Sequence, residues 1–404
     1  MTAKPASLRD EFPLLAVAPD LHYLDSAATA QIHRSALDAV VRHETTSRAN
    51  ISRGTYRLAE AADLAYERAR QTAAHFLNAG SSDEIIFTSG ATASLNLVAH
   101  AFGNTLQAGD RVLVSVAEHH SNFVPWQMLR DRTGIELAMI PVTASGQLDL
   151  ARLPELLDSK CRLVAVTHLS NVTGAWTDVV TLVAAARRVG AKVLLDGAQA
   201  VQHGPQDVRA LGVDFYAFSG HKCFGPGGVG VLWGRGEVLA ALPPFLTGGG
   251  MIAGVTPQVS TWAAPPQRFE AGTPPIAQAV GLAAALEWMM GLDWPQIHAR
   301  EARLCELLIE GLQRIPGLRL LGPEASAQRA PIVSFEIPGL HPHDICQVLD
   351  EHQLALRGGH HCAQPLMAAL GAEVCTRASI ALYNDEADIQ ALLEGLAFAR
   401  RELA

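Results

Sequence analysis

Phe215-Tyr216-Ala217-Phe218-Ser219-Gly220-His221-Lys222 is the stretch of sequence that decides the fold. Its apolar half predicts a strand, and its polar half follows directly at the strand's carboxyl end. A similar stretch lies earlier in the chain, Val193-Leu194-Leu195-Asp196-Gly197-Ala198-Gln199. Both apolar runs lack polar alternation, which is typical of strands that are covered on both faces.

Further apolar runs extend this pattern on either side. The other predicted strands are Ile85–Thr88, Val112–Val116, Leu163–Thr167 and Gly228–Trp233. Segments with helical periodicity lie between them, such as the one carrying Leu182, Ala185, Ala186 and Val189. Alternating strands and helices indicate an α/β fold with a mostly parallel central sheet and helices on both faces. In such sheets, ligands bind at the carboxyl ends of the strands.

A second region begins after Gly272-Thr273-Pro274-Pro275. It contains predicted helices at 276–288, 300–315 and 343–352, a strand at 332–337, and a last helix after Asp385. We therefore expect three parts. Residues 21–275 form a large cofactor-binding domain, residues 276–404 form a smaller α+β domain, and residues 1–20 pack with the smaller one.

Composition limits the possible partners. The chain has 404 residues, of which 49% are hydrophobic and 18% charged, and its net charge is −9. This charge argues against nucleic acid or an anionic membrane as the main partner. The N-terminus lacks the apolar core of a signal peptide, and no apolar segment is long enough to span a bilayer, so we predict a cytoplasmic protein. The six cysteines are scattered without metal-ligand spacing, and we predict no metal site.

Asp196 and Lys222 together suggest a cofactor. A carboxylate and a lysine at the ends of neighbouring strands are what a pyridoxal phosphate site needs. The amine of Lys222 would condense with the cofactor aldehyde, and Asp196 would pair with the protonated pyridine nitrogen. Either residue alone has an ordinary explanation, because most lysines are solvated and many strands end in aspartate.

Several polar residues could hold the rest of this cofactor. The turn Ser89-Gly90-Ala91-Thr92 precedes a predicted helix whose N-terminus would attract the phosphate, although it could be an ordinary helix cap. Ser219, His221 and Thr273 are further phosphate candidates. In Glu118-His119-His120, one histidine could stack on the ring. A metal pair is less favoured, since adjacent side chains on an extended chain point to opposite sides. Asn171 could contact the ring hydroxyl or be a turn residue.

A reactive cysteine is predicted in Arg357-Gly358-Gly359-His360-His361-Cys362-Ala363-Gln364-Pro365. Glycines give the segment mobility, and imidazolium or guanidinium charge stabilises a neighbouring thiolate. A buried structural cysteine and a zinc site are the alternatives, the latter disfavoured because consecutive residues seldom supply three ligands. Arg377 and Arg357 could bind a substrate carboxylate in a bidentate manner.

With these residues, the chain resembles the fold-type I, class V pyridoxal phosphate enzymes, specifically the SufS/CsdA-type (group II) cysteine desulfurases. The resemblance runs over nearly the whole length, from Tyr23-Leu24-Asp25-Ser26-Ala27-Ala28-Thr29 through Phe269-Glu270-Ala271-Gly272-Thr273-Pro274 to Arg377. It implies conversion of L-cysteine to L-alanine, with the sulfur held as a persulfide on Cys362. It also implies a homodimer that passes sulfur to a SufE/CsdE-like acceptor protein.

The resemblance also implies a role for each matching residue. Lys222 carries the cofactor and moves protons, and Cys362 is the nucleophile. The cofactor would be held by Asp196 at the pyridine nitrogen, His119 on the ring, Gln199 at the ring oxygen, Asn171, and Thr92, Ser219 and His221 at the phosphate, with Thr273 from the partner subunit. The substrate would be bound by Arg377, Arg357 and Asn171.

Some positions depart from the family pattern, and other functions stay open. Ala91 and Ala93 stand where the family has a hydroxyl and a carboxylate, Ser52 where a histidine is common, and Cys223 where leucine is typical. A selenocysteine lyase would use the same residues. An epimerase or lyase of the same fold would not need Cys362, and a sulfur-carrier scaffold would need no cofactor.

Overall fold

The computed structural model describes residues 8–324 and 329–403. The strands are β1 His22–Tyr23, β2 Ile85–Thr88, β3 Arg111–Ser115, β4 Glu136–Ile140, β5 Cys161–Thr167, β6 Lys192–Asp196, β7 Phe215–Ser219, β8 Gly230–Gly234, β9 Ile252–Val255, β10 Ser260–Trp262, β11 Arg319–Leu321, β12 Ile332–Glu336, β13 Leu354–Ala355, β14 Arg357–Gly359 and β15 Cys375–Ser379. The α-helices are α1 Pro13–Val17, α2 Arg34–Thr46, α3 Arg57–Phe76, α4 Ala91–Ala101, α5 Val124–Thr133, α6 Leu153–Leu156, α7 Val179–Val189, α8 Val208–Leu211, α9 Gly236–Ala241, α10 Ile276–Met290, α11 Trp294–Gln313, α12 Pro342–Asp350, α13 Gln364–Ala369 and α14 Glu386–Glu402.

The large sheet has seven strands in the order β2-β8-β7-β6-β5-β3-β4. Strands β7, β6, β5, β3 and β4 run parallel, and β8 runs antiparallel to both of its neighbours. The predicted α/β class with a mostly parallel sheet is therefore confirmed. Strand β4 was missed from the sequence because it is an edge strand, with Glu136 exposed and Met139 38% exposed.

Helices cover both faces of this sheet because its strands are apolar on both sides. On one face, Val164, Val166 and Val193 pack in a core with residues of α3, α7 and α10. On the other face, Val114 and Leu194 pack with residues of α4 and α5. The side chains of a strand alternate between the faces, so each strand contributes to both cores.

The second sheet is antiparallel and has the strand order β11-β12-β15-β14. Its apolar side packs in a core with α11, α12 and α14. Helix α14 begins at a capping box, in which the Asp385 side chain accepts from the backbone of Asp388, and the Asp388 side chain accepts from that of Asp385. This arrangement is the α+β unit predicted for the C-terminal part.

Phe12 and Leu15 of the N-terminal segment pack in the core of the large sheet. Residues 1–7 of the segment that we predicted at 1–20 lie outside the described residues. Phe12 lies edge-on to Tyr383 at 4.8 Å and to Phe224 at 5.6 Å, so it contacts both parts of the chain. Helix α10, where we expected the smaller domain to begin, packs in the core of the large sheet. The three-part division stays a prediction.

The described ranges contain neither a membrane-spanning helix nor a cluster of metal ligands. Within residues 8–324 and 329–403, no helix is both long and apolar enough to cross a membrane. The same residues contain no group of three or more histidine, cysteine, aspartate or glutamate side chains placed to hold a metal ion.

Candidate active site

A cavity of about 580 Å³ lies at the carboxyl ends of β5, β6 and β7. This is the edge where the sequence predicted a site, because parallel strands end together there. The predicted residues that line it are Thr92, His119, Asn171, Asp196, Gln199, Ser219, His221, Lys222, Arg357, Cys362 and Arg377. Thr273, which we expected to serve a partner subunit, is exposed and is not among the lining residues.

Asp196 and Lys222 are the last residues of their segments, β6 and the short 3₁₀ helix Gly220–Lys222 after β7. Asp196 is only 5% exposed, and its Oδ1 accepts from the backbone N–H of Ala198 at 3.0 Å. Burial raises the pKa of this carboxyl above its ordinary value. Burial also lowers the pKa of Lys222 to about 8, although the Asp196 charge by itself would raise it. A lysine of this kind has a reactive neutral amine near physiological pH.

The N-terminus of α4 forms one wall of the cavity. Gly90 precedes the helix with φ 151°, in the region that favours glycine, and the backbone N–H of Ala91 donates to Ser219 Oγ at 2.8 Å. The hydroxyl of Thr92 bonds that of Ser121 at 2.7 Å. The backbone N–H groups of a first helical turn and neighbouring hydroxyls form an anion site, so this wall suits a phosphate.

His221 closes the same side of the cavity. Its Nδ1 lies 3.1 Å from Thr29 Oγ1, and burial lowers the pKa of its imidazole to about 4. His221 is therefore neutral near pH 7, and it can offer a phosphate a hydrogen bond but no charge. Thr29 belongs to the Tyr23–Thr29 stretch, to which the sequence assigned no role.

His119 reaches the cavity because of a turn after β3. The backbone N–H of Ser121 donates to His119 Nδ1 at 3.1 Å, so the neutral ring carries its proton on Nε2. Burial, together with the Lys222 charge, lowers the pKa of His119 to about 4. The preceding Glu118 is fully buried and accepts from the Asn122 side chain at 2.6 Å and from the Thr167 backbone at 2.9 Å. These bonds position the turn and therefore the ring.

Three buried polar atoms of the lining residues have no hydrogen-bond partner within residues 8–324 and 329–403. They are Gln199 Oε1, His361 Nδ1 and Arg377 Nε. Nε2 of the same Gln199 donates to the backbone oxygen of Ala27 at 2.8 Å. Unsatisfied buried polar atoms are costly, and beside a cavity a bound ligand can satisfy them. With the buried Asp196 and the anion site at α4, the residues fit pyridoxal phosphate and a carboxylate-bearing substrate.

The two predicted substrate arginines meet at a residue that the sequence analysis had not assigned. Asp25 accepts from Arg357 NH2 at 2.8 Å and from Arg377 NH2 at 3.1 Å. The other side of Arg377 donates from NH1 to the backbone oxygen of Asn171 at 2.9 Å. Asp25 lies in the Tyr23–Thr29 stretch quoted above, but only its position next to the arginines reveals its contacts.

The Cys362 loop, residues 360–363, connects β14 to α13 and presents an exposed cysteine to the cavity. His361 and Cys362 adopt left-handed φ angles of 52° and 55°, which are unfavourable for residues with a side chain. The loop is held by several bonds, including Asn171 Nδ2 to the His361 oxygen at 2.8 Å. Burial lowers the pKa of His361 to about 3, so the imidazolium charge that we expected beside the thiol does not come from His361 at neutral pH.

His120 is a second residue that the sequence analysis did not assign. Its backbone N–H donates to the Cys362 oxygen at 2.7 Å, and its Nε2 accepts from the Gln364 backbone at 3.3 Å. His120 thus contacts the Cys362 loop while His119 faces the cavity. The sequence indicated only that the side chains of two adjacent histidines on an extended chain point to opposite sides.

The structure shows where three of the residues that depart from the family pattern lie and what they contact. Ala91 lines the cavity and offers its backbone N–H, and Cys223 is fully buried with its thiol 3.4 Å from the Gly220 oxygen. Burial raises the pKa of Cys223 far above the ordinary value, so it packs as an apolar residue. Ser52 is exposed with φ 78°, and its backbone N–H donates to Asp63 at 2.7 Å.

Comparison with known proteins agrees with this site. Residues 22–392 match the model of the Aminotransferase class-V family. A probable cysteine desulfurase of Streptomyces coelicolor is 45% identical over 403 residues, covering 98% of this chain and 96% of that protein. The crystal structure of the cysteine desulfurase CsdA from Escherichia coli, in an S-sulfonic acid form, superposes with a TM-score of 0.92 at 39% identity, covering 100% of both chains.

A more distant structure holds the cofactor. A C-DES mutant with glycine covalently linked to pyridoxal phosphate has a TM-score of 0.82 at 28% identity, covering 96% of this chain and 98% of that one. The chain therefore belongs to the class V aminotransferase family of pyridoxal phosphate enzymes. Within it, the chain is of the SufS/CsdA type (group II).

Proposed function

We propose that the protein is a pyridoxal phosphate-dependent cysteine desulfurase, which converts L-cysteine to L-alanine and holds the sulfur as a persulfide on Cys362. The observation that carries this proposal is that Cys362, Lys222 and Arg377 line one cavity. A lysine for the cofactor, an arginine for a carboxylate and a thiol for sulfur are the three groups that this reaction needs.

Residues at the strand ends would hold the cofactor. Asp196 would pair with the pyridine nitrogen, His119 would stack on the ring, and Gln199 and Asn171 would contact the ring oxygen. Thr92, Ser219 and His221 would hold the phosphate. When bound, pyridoxal phosphate withdraws electrons from the substrate α-carbon and so makes its proton acidic.

Substrate binding and proton transfer belong to the chain's own side chains. Arg377, with Arg357 and Asn171, binds the α-carboxylate of L-cysteine. Lys222 Nζ takes the α-proton, since its lowered pKa leaves much of the amine neutral near pH 8. The Cys362 thiolate then attacks the substrate sulfur. A sulfur–sulfur bond forms, and the carbon–sulfur bond breaks with its electron pair left on the β-carbon. Protonation of the β-carbon and return of a proton from Lys222 Nζ to the α-carbon give L-alanine.

Two other activities use the same fold. A selenocysteine lyase would act on the heavier chalcogen, but the relatives described above are cysteine desulfurases, which favours L-cysteine as substrate. An epimerase or lyase would not need an exposed thiol in the cavity. The exposed Cys362 in its left-handed loop is the feature that supports persulfide chemistry.

The protein works as a homodimer in the cytoplasm and transfers its sulfur to a SufE/CsdE-like acceptor protein. Support for the homodimer comes from the β9–β10 hairpin, where Val255, Val259 and Trp262 are 59%, 61% and 41% exposed. Clustered exposed apolar residues mark protein interfaces. Thr273, exposed and outside its own chain's cavity lining, would reach the phosphate site of the partner.

The decisive experiment follows alanine and persulfide after purified protein is mixed with L-cysteine. We expect alanine release and a persulfide in the wild type, and neither in Cys362→Ser, which should keep the cofactor absorbance near 420 nm. Cys346→Ser is the matched control because Cys346 is half-buried and is not among the cavity lining. Persulfide formation by Cys362→Ser would refute the role of Cys362. Protein that stays colourless after addition of pyridoxal phosphate would refute the enzyme itself.

A further inference from the structure

Arg357 and Arg377 lie directly opposite each other on neighbouring antiparallel strands, β14 and β15. Opposite residues of an antiparallel pair share one face, so their side chains are close, and like charges in this arrangement repel. Arg377 is only 2% exposed, so water screens its charge little. Such a pair requires a compensating negative charge.

Asp25 supplies that charge from a different part of the chain. Its Oδ2 lies 2.8 Å from Arg357 NH2 and 3.0 Å from Arg357 Nε, and its Oδ1 lies 3.1 Å from Arg377 NH2. The side chain of Asp25 is 11% exposed. The backbone places it there, because Asp25 forms a bridge with Ser379 beside the end of β15.

The bonds of Arg377 fix its guanidinium and leave N–H groups for a ligand. NH1 donates to the backbone oxygen of Asn171 and NH2 to Asp25, whereas the buried Nε has no partner among the described residues. The guanidinium is planar, so the two occupied nitrogens determine where Nε points. Arg357 is engaged by both oxygens of Asp25 and is half exposed.

We infer that Asp25 is a positioning and specificity-determining residue of the substrate site. It holds the guanidinium of Arg377, a residue of the cavity lining, in place for the α-carboxylate, and it reduces the two positive charges of the arginine pair to one. A site with one net positive charge matches an amino acid with a single carboxylate and disfavours a second acidic group. This inference rests on the proposed function, since it takes the α-carboxylate as the ligand of Arg377.

The test compares Asp25→Asn, which keeps the shape and removes the charge, with the wild type. We expect the KM for L-cysteine to rise about tenfold while kcat changes little, because lost orientation weakens ground-state and transition-state binding alike. Asp25→Glu keeps the charge but displaces it by a methylene, and we expect a smaller rise in KM. Asp25→Ser, which also removes the charge, carries the same test if Asp25→Asn does not fold.

A second readout measures ligand binding instead of turnover. Thermal shifts of the cofactor-loaded protein are recorded with L-alanine and with L-aspartate. In Asp25→Asn we expect the affinity for L-aspartate relative to that for L-alanine to rise about tenfold, because the arginine pair then carries two positive charges. An unchanged KM together with an unchanged aspartate-to-alanine ratio would overturn the inference.

The matched control is Asp214→Asn. Asp214 is also a carboxylate between two cations, Lys192 at 3.2 Å and Arg235 at 3.6 Å, with 13% exposure, but it is not among the cavity lining. We expect it to lower stability without changing KM, and an equal rise in KM would show a general loss of stability and overturn the inference. If the wild type released no alanine from L-cysteine, the proposed function would fail. The binding measurement with L-alanine and L-aspartate would still test whether Asp25 determines ligand preference.

Discussion

The backbone N–H of His120 donates to the carbonyl oxygen of Cys362 at 2.7 Å. This bond joins the turn after β3, in the large sheet, to the Cys362 loop that follows β14 in the small sheet. The imidazole of His120 adds a second bond from its Nε2 to the backbone of Gln364 at 3.3 Å. One residue therefore holds the backbone at Cys362 and two positions after it.

The first prediction concerns this anchor. In His120→Phe the ring acceptor is lost, and we expect persulfide formation in a single turnover to slow about threefold to tenfold, the value of one hydrogen bond. The cofactor absorbance should not change. His100→Phe is the control. His100 lines the same surface groove as His120, and its ring packs against Phe245 at 5.2 Å. Equal rates in both variants would show that the anchor is not needed.

The second prediction concerns the pH dependence of cofactor uptake. Burial lowers the pKa of Lys222 to about 8, and only the neutral amine is a nucleophile. The rate at which cofactor-free protein takes up pyridoxal phosphate should rise with pH and level off above about 8, as followed by absorbance. A rate that still rises with pH toward the ordinary lysine pKa would contradict the buried setting. Lys222→Ala should show no covalent uptake at any pH.

The third prediction concerns the phosphate wall. Ser219 Oγ accepts from the Ala91 backbone at the start of α4, so Ser219→Ala removes a cap and should lower the unfolding free energy by about 1 kcal/mol. The variant should also lose cofactor faster during dialysis. Ser81→Ala is the control, because Ser81 caps the 3₁₀ helix Ser82–Glu84, and its Oγ accepts from Asp83 at 3.1 Å. Cofactor loss at the same rate in both variants would argue against Ser219 as a phosphate ligand.

The fourth prediction concerns the homodimer. Introducing charge at the β9–β10 hairpin with Val259→Asp and Trp262→Glu should shift the protein toward the monomer in sedimentation experiments, because buried charge is costly at an interface. Val180→Asp is the control, since Val180 is 76% exposed on α7. A dimer that survives the hairpin changes would place the interface elsewhere.

Much of the fold followed from local sequence. Strands β2, β5, β6 and β7 are apolar on both faces, and this pattern predicted a buried parallel sheet close to the observed bounds. The edge strand β4 escaped because its exposed residues broke the pattern. The meeting of Asp196 with Lys222 was also predictable, since both follow strands whose carboxyl ends share one edge of a sheet.

The sequence by itself determined the fold class and predicted Lys222 as the cofactor lysine and Cys362 as the nucleophile, because each depends on a short stretch whose chemistry and periodicity are local. Only the tertiary structure placed Asp25 between Arg357 and Arg377, which are 332 and 352 positions away along the chain. The same holds for His120 and the Cys362 loop. Contacts over such separations arise when two sheets pack together, and no local pattern of residues encodes which side chains will then meet.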